Sequence, residues 1–219
     1  MTELPLTAPR GVDELYLARH DEVSLARPLM PGDVLAGVCG AHGMIVAHPC
    51  AMRGGGGRLR PRVAVAPVIA YQRVPLLAWP NGHYNVFPLP DLLPEPCAAQ
   101  LLELDSATRE ELHAAERVAT LSDYGVYVLQ QRFVFCITRV VVGLDRLEEV
   151  SGHVLAEAEL EEEWVDELTD GDDPSAMSEE RAAFQTFLDG ELRASLQQPV
   201  RRSEVRRTVR AEIARRLSA

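Results

Sequence analysis

The sequence has no lysine: all 22 basic residues among its 219 are arginine. Replacement of one cation by the other throughout is what a GC-rich code produces, so no single arginine is evidence of a selected contact. No apolar run approaches the roughly 20 residues that cross a bilayer, which excludes a helical membrane span. The start, MTELPLTAPRGVDEL, has neither a basic leader nor an apolar core before a cleavage site. The expected compartment is the cytoplasm. Cysteine is sparse, at positions 39, 50, 97 and 136, which argues against a disulfide scaffold and for free thiols, mostly small buried hydrophobes. Positive charge is outweighed, leaving a net charge of −11. That excludes wholesale coating of nucleic acid, though not a local basic patch.

Proline and glycine are scarce in the second half. Thirteen of fifteen prolines and ten of fifteen glycines lie at or before Pro96, so long helices are confined to the residues beyond it. The expected fold class is α+β with segregated elements: a small β-barrel in the N-terminal half and a helical C-terminal half. The composition divides the chain into an N-terminal arm at 1–26, a barrel domain at 27–98, a helical region at 99–170 and a charged helical extension at 171–219.

Within the first half, Val12–Arg19 fits a short helix or a strand. Pro31-Gly-Asp33 is a turn, because proline presets φ and glycine supplies freedom. Strands are expected at Val34–Cys39 and Met44–Ala47, joined as a hairpin. Arg62–Tyr71 is the strongest strand, its Pro67 implying a bulge or an edge. Trp79–His83 is a turn, and Tyr84–Leu89 a further strand. Four or five such strands suggest a small barrel or a strongly curved sheet.

In the second half, Ser106 or Asp105 is expected to cap a helix and Ser122 the next one. Leu129, Phe133, Cys136, Ile137 and Val140 share one face of an expected central helix, with a strand as the alternative because Val126, Val128, Val134 and Val140–Val142 favour strands. Leu144–Leu168 reads as a helix with an acidic outer face, and Asp170–Pro174 as a linker. Beyond it come helices at Ser178–Leu196, interrupted by Gly190, and at Ser203–Leu217. Charge is polarised: Glu157–Glu180 holds twelve acidic residues and no basic one, whereas eight arginines lie from Arg193 onward.

Candidate chemistry gathers at the end of Met44-Ile-Val-Ala-His-Pro-Cys50. His48 and Cys50 can serve as base and nucleophile, with Arg53 as a nearby cation. Cys39, His42, His48 and Cys50 are competent zinc ligands by type, but their spacing departs from standard zinc knuckles. The loop Arg53–Arg58 offers flexible backbone to a phosphate, yet no helix succeeds it as phosphate loops require. No metal or cofactor is expected.

In the C-terminal extension, Val205, Val209, Ile213 and Leu217 line up four apart as an amphipathic stripe. Arg201, Arg202, Arg206 and Arg210 flank it. The stripe and arginines are the expected contact for a protein partner, or for pairing with Glu157–Glu180 within the chain. Nucleic acid is a further candidate partner, although no aromatics interleave with the arginines. Homo-oligomerisation stays open, and a membrane partner is not expected.

The order Pro31-Gly-Asp-Val, a strand ending in His-Pro-Cys, then Arg-Val-Ala-Val-Ala-Pro-Val resembles the PemK/MazF-like toxin family over about residues 27–87. The resemblance implies an SH3-like barrel and RNA cleavage at its mouth by an arginine with a threonine or serine. Here Ala66-Pro-Val68 runs into Ile69 and Ala70 rather than threonine, and the arginine that precedes the family's first valine strand is missing before Met44, which leaves Arg53 as the nearby cation. Two functions fit these features. The leading one is a non-enzymatic interaction protein docking a macromolecule through its charged tail, in a toxin–antitoxin or phage-defence setting. The alternative is a metal-independent endoribonuclease using His48, Arg53 and Cys50.

Overall fold

A computed structural model describes residues 5–54, 59–169 and 173–218. The chain forms two compact units: residues 1–23 with 30–148, and residues 24–29 with 149–219. The fold class is α+β, with a curled antiparallel half-barrel sheet in the N-terminal half and helices in the C-terminal half.

In the first unit, Val12–Arg19 is both helix and strand, α1 at Val12–Leu15 running into β1 at Tyr16–Arg19. The Pro31-Gly-Asp turn forms as expected. Gly32 has φ +89, and a Cβ there would lie 2.7 Å from Leu121, so both conformation and space demand glycine. Asp33 is fully buried; its carboxylate accepts the Met30 N–H at 2.9 Å and lies 3.5 Å from Arg117. The turn delivers β2 (Val34–Ala36) and its antiparallel partner β3 (His42–Ile45). This hairpin is shorter than predicted, because Gly37–Ala41 turns the chain with Gly37 and Gly40 at positive φ.

β4 spans Arg62–Ala70 and is the hub of the sheet. It pairs with β3 on one side. On the other it pairs with β7 (Asp105–Thr108) through Val65, then with β6 (Cys97–Gln100) from Val68. Pro67 therefore marks neither a bulge nor an edge strand. It falls where β4 changes partner, a point at which a missing N–H costs little. β5 (Val86–Leu89) and β8 (Arg117–Leu121) complete the order β1-β8-β2-β3-β4-β6-β5.

Two of these strands, β7 and β8, lie wholly within the stretch expected to be helical from residue 99, and β6 crosses its boundary. The helix predicted to open at Ser106 begins later, as α3 (Arg109–Ala114), capped by Thr108 in a reciprocal capping box with Glu111. Ser122 does cap α4 (Asp123–Thr138), accepting the Gly125 N–H at 3.0 Å. A Cβ at Gly125 would lie 2.2 Å from the Leu15 carbonyl, so only glycine lets α4 start this close to α1. The predicted face of α4 is buried only in part: Leu129 and Cys136 are in the core, with Val128 and Arg132, while Ile137, and Val140 beyond the end of the helix, are exposed. The expected N-terminal arm is also not free. Gln131 accepts the Thr7 N–H at 2.6 Å, and Tyr124 donates to the Ala8 carbonyl.

α5 runs over Leu144–Leu168, its first residues to Glu148 counting with the first unit. In the second unit it is succeeded by α6 (Pro174–Leu188), α7 (Glu191–Leu196) and α8 (Arg202–Leu217). The core of that unit joins Leu160, Trp164 and Val165 of α5 to Phe184 and Leu188 of α6, Leu196 of α7 and Val205, Val209 and Ile213 of α8. Trp164 meets Phe184 edge-on at 5.7 Å. Its indole N–H donates to Glu180 at 2.9 Å, and the Arg216 guanidinium lies 4.5 Å from its ring. Among the described residues no helix is long and apolar enough to cross a membrane.

Candidate functional site

β3 leads through Ala47 into α2, a single turn at Pro49–Met52. Proline at its first position has no N–H to leave unsatisfied, and the residue before it becomes the cap. That residue is His48, whose Nδ1 accepts the Cys50 N–H at 3.2 Å. An accepting Nδ1 leaves the ring proton on Nε2, so the ring's one lone pair is taken up by the cap and Nε2 presents only a donor. Cys50 is exposed. Arg53 comes directly after the helix, its N–H donated to Pro49 at 3.1 Å and its backbone bridged to Leu59. One short helix and its two caps thus carry His48, Cys50 and Arg53. The glycine loop after Arg53 falls largely on residues 55–58, outside the described residues.

Cys39 and His42 do not join this group. Cys39 sits in the turn before β3 with φ +55, and His42 opens β3 while His48 lies past its far end. Burial, then the acids Asp105 and Glu111, push the Cys39 thiol up. That is the reverse of what a thiolate ligand or nucleophile needs. Among the described residues no group of three or more His, Cys, Asp or Glu side chains is arranged to hold a metal ion.

The apolar stripe of α8 was expected to await a partner, and it has one inside its own unit. Val205, Val209 and Ile213 are buried in that core, while Leu217 remains 59% exposed. The flanking arginines are engaged as well. Arg206 bridges to Glu159, and Arg210 donates to Glu163 at 2.7 Å. Arg201 lies 3.5 Å from Glu204, and Arg202 donates to the Leu196 carbonyl. Further pairs join Arg27 to Glu162, Arg181 to Glu161, Arg193 to Glu157 and Arg216 to Glu180. The charge polarity of the sequence is thus largely an internal fastening of α5 against the segments around it.

What those pairs leave over is acidic. Residues 24–29 and 149–219 hold seventeen Asp and Glu against ten Arg. Asp166 and Glu167 are exposed in the last turn of α5, which contains no basic residue. Glu179, near the start of α6, is exposed too. Among the described residues none of the three has an arginine partner. Desolvation, then the Glu162 and Glu167 carboxylates, raise the Asp166 pKa.

A second constellation, in the half-barrel unit, was missed. Arg132 of α4 is fully buried. Its guanidinium donates to the carbonyls of Trp79, Gly82, His83 and Val86 at 2.9, 3.2, 2.7 and 3.4 Å. It also lies 5.3 Å from the Trp79 ring. Burial pulls its pKa down to about 10, which leaves it charged at neutral pH. The cradle fixes the loop carrying His83, whose Nδ1 is 3.0 Å from the Tyr71 hydroxyl. A sequence signal was present, since Arg132 lies three residues after Leu129 and four before Cys136, on the same helical stripe.

No protein-family model matches the sequence, and no curated protein matches it.

Proposed function

We propose that the chain is a non-enzymatic interaction protein whose helical unit docks a basic protein partner at the end of α5. The observation that carries this reading is the placement of Asp166 and Glu167. Acids in the last turn of a helix oppose its macrodipole and repel each other. In the same helix, Glu157, Glu159, Glu161, Glu162 and Glu163 all face arginines. An unmatched acidic end directly after a run neutralised at this density suits a cationic surface from outside. The toxin–antitoxin or phage-defence setting implied by the resemblance would supply such a partner.

Deleting residues 171–219 cannot test this, because it removes α6, α7 and α8 from the unit's core. The test is co-purification of the full chain from its own cell, beside a variant carrying Asp166→Asn, Glu167→Gln and Glu179→Gln. We expect the variant to keep its helical circular dichroism and to lose a partner that salt also releases from the wild type. An unchanged set of partners would sink the reading.

A second reading, RNA cleavage, draws on the convergence of His48, Cys50 and Arg53 at α2. It requires a base, an acid and a cation for the phosphorane. Mixed RNA incubated with the pure chain and with His48→Ala decides it: cleavage by the wild type alone supports the enzyme, and intact RNA in both samples rejects it.

A further inference from the structure

The half-barrel unit holds a cleft of about 170 Å³ where the loop after β4 meets the end of β5 and the start of β6. For scale, an apolar cavity of about 150 Å³ accepts benzene, so the cleft matches one branched or aromatic side chain. Pro75, Pro88, Pro90 and Pro96 contribute to its walls. Proline fixes φ and carries no N–H, so these walls are stiff and bring no backbone donor of their own into the cleft. Side-chain donors come from Gln72 and Arg73, and Asp91 supplies a carboxylate.

Arg73 and Asp91 face each other at 3.5 Å, with side chains 77% and 51% exposed. Such a pair contributes little to folding. Yet Asp91 is held firmly in place. Its φ is +54, a left-handed conformation few non-glycine residues adopt. Behind it, Arg19 donates to its carbonyl at 3.3 Å, and the buried Tyr16 hydroxyl donates to the Pro90 carbonyl at 3.1 Å. Strand β1 thereby fastens the acidic end of the cleft, which is the preorganisation a binding site needs and a surface ion pair does not.

We propose that this cleft binds a free α-amino acid with a branched or aromatic apolar side chain. The side chain enters the proline-walled hollow, the ammonium meets Asp91 and the carboxylate meets Arg73. The two charged groups of such a zwitterion lie about 3 Å apart, close to the 3.5 Å between Arg73 and Asp91. A simple carboxylic acid brings no cation to Asp91, an amine brings no anion to Arg73, and a phosphate would be repelled by Asp91. Binding here is independent of the docking role of the helical unit.

The test is a titration of the isotope-labelled full chain, monitored by NMR, with L-leucine and L-phenylalanine. Two truncated probes accompany them: 3-methylbutylamine, which lacks the carboxylate, and 4-methylpentanoate, which lacks the ammonium. Saturable shifts are expected at the Gln72, Asp91 and Cys97 amides, with a Kd of about 1 mM for a ligand of this size. Each truncated probe should bind roughly fivefold more weakly, and Arg73→Gln and Asp91→Asn should each weaken leucine binding roughly fivefold while melting at the wild-type temperature. No saturable shift with either amino acid overturns the proposal. So does equal binding of a truncated probe, or undiminished binding in both variants.

Discussion

Arg132→Met should destabilise the chain by about 3 kcal/mol, because four carbonyls facing a buried guanidinium would lose their donors at once. Arg132→Lys should recover less than half of that, since one ammonium cannot span a fork-shaped set of acceptors. Urea unfolding of the three proteins measures both. A second residue-scale expectation concerns Cys97, whose thiol desolvation pushes up to about 11 from an ordinary value of 9.0. Between about pH 9 and pH 11 the unfolded chain has lost this proton and the folded chain has kept it, so stability falls as pH rises through that window. Cys97→Ala should therefore lose less stability than the wild type between the two ends of the window, read as the shift in urea midpoint. Neither residue announced itself by type. His48 and Cys50 did, and the structure gives His48 the local task of capping α2. Residue chemistry is visible in a sequence, whereas burial, which decides what that chemistry does, is set by distant segments.

At the scale of elements, α8 separates a free docking helix from a core helix. Ile213→Ala should cost about 3 kcal/mol, as truncation of a buried side chain does. Leu217→Ala, on the exposed end of the same stripe, should cost less than about 0.5 kcal/mol. Both are read from urea unfolding monitored by helical circular dichroism, and no effect of Ile213→Ala would return α8 to the solvent. The helix itself was legible, because its four-residue apolar spacing is local. So were the Pro31-Gly-Asp turn and the Ser122 cap, each set by the φ preferences or side-chain reach of a few adjacent residues. The strands β6, β7 and β8 were not. Cys97-Ala-Ala-Gln and Asp105-Ser-Ala-Thr lack β-branched alternation, and β8 is a strand because β1 and β2, about a hundred residues earlier, pair with it. Asp105-Ser-Ala-Thr also looks like a helix start, and it is one, displaced to Thr108.

At the scale of the whole molecule, the two tryptophans fall one to each unit, Trp79 in the half-barrel and Trp164 in the helices, so acid sensitivity can be read unit by unit. The helical unit depends on carboxylates paired with arginine. Hydrogen bonds from Arg215 and Arg216 hold the Glu212 pKa at about 2. A carboxylate with a depressed folded pKa stabilises the fold above its unfolded value, and that contribution is lost as pH falls from about 4.5 to about 2. Asp166 acts in the opposite sense. Its pKa is raised, so its protonation relieves repulsion, and stability should first rise slightly on acidification from neutral pH. The loss at Glu212 then dominates, because two guanidiniums, those of Arg215 and Arg216, share that one carboxylate. Trp164 reports on this carboxylate, because Arg216 lies 3.3 Å from Glu212 and 4.5 Å from the indole ring. Fluorescence of Trp79→Phe, which reports Trp164, should therefore change at a higher pH than that of Trp164→Phe, which reports Trp79. Coincident acid transitions would mean that the Glu212 pairs do not set the stability of the helical unit.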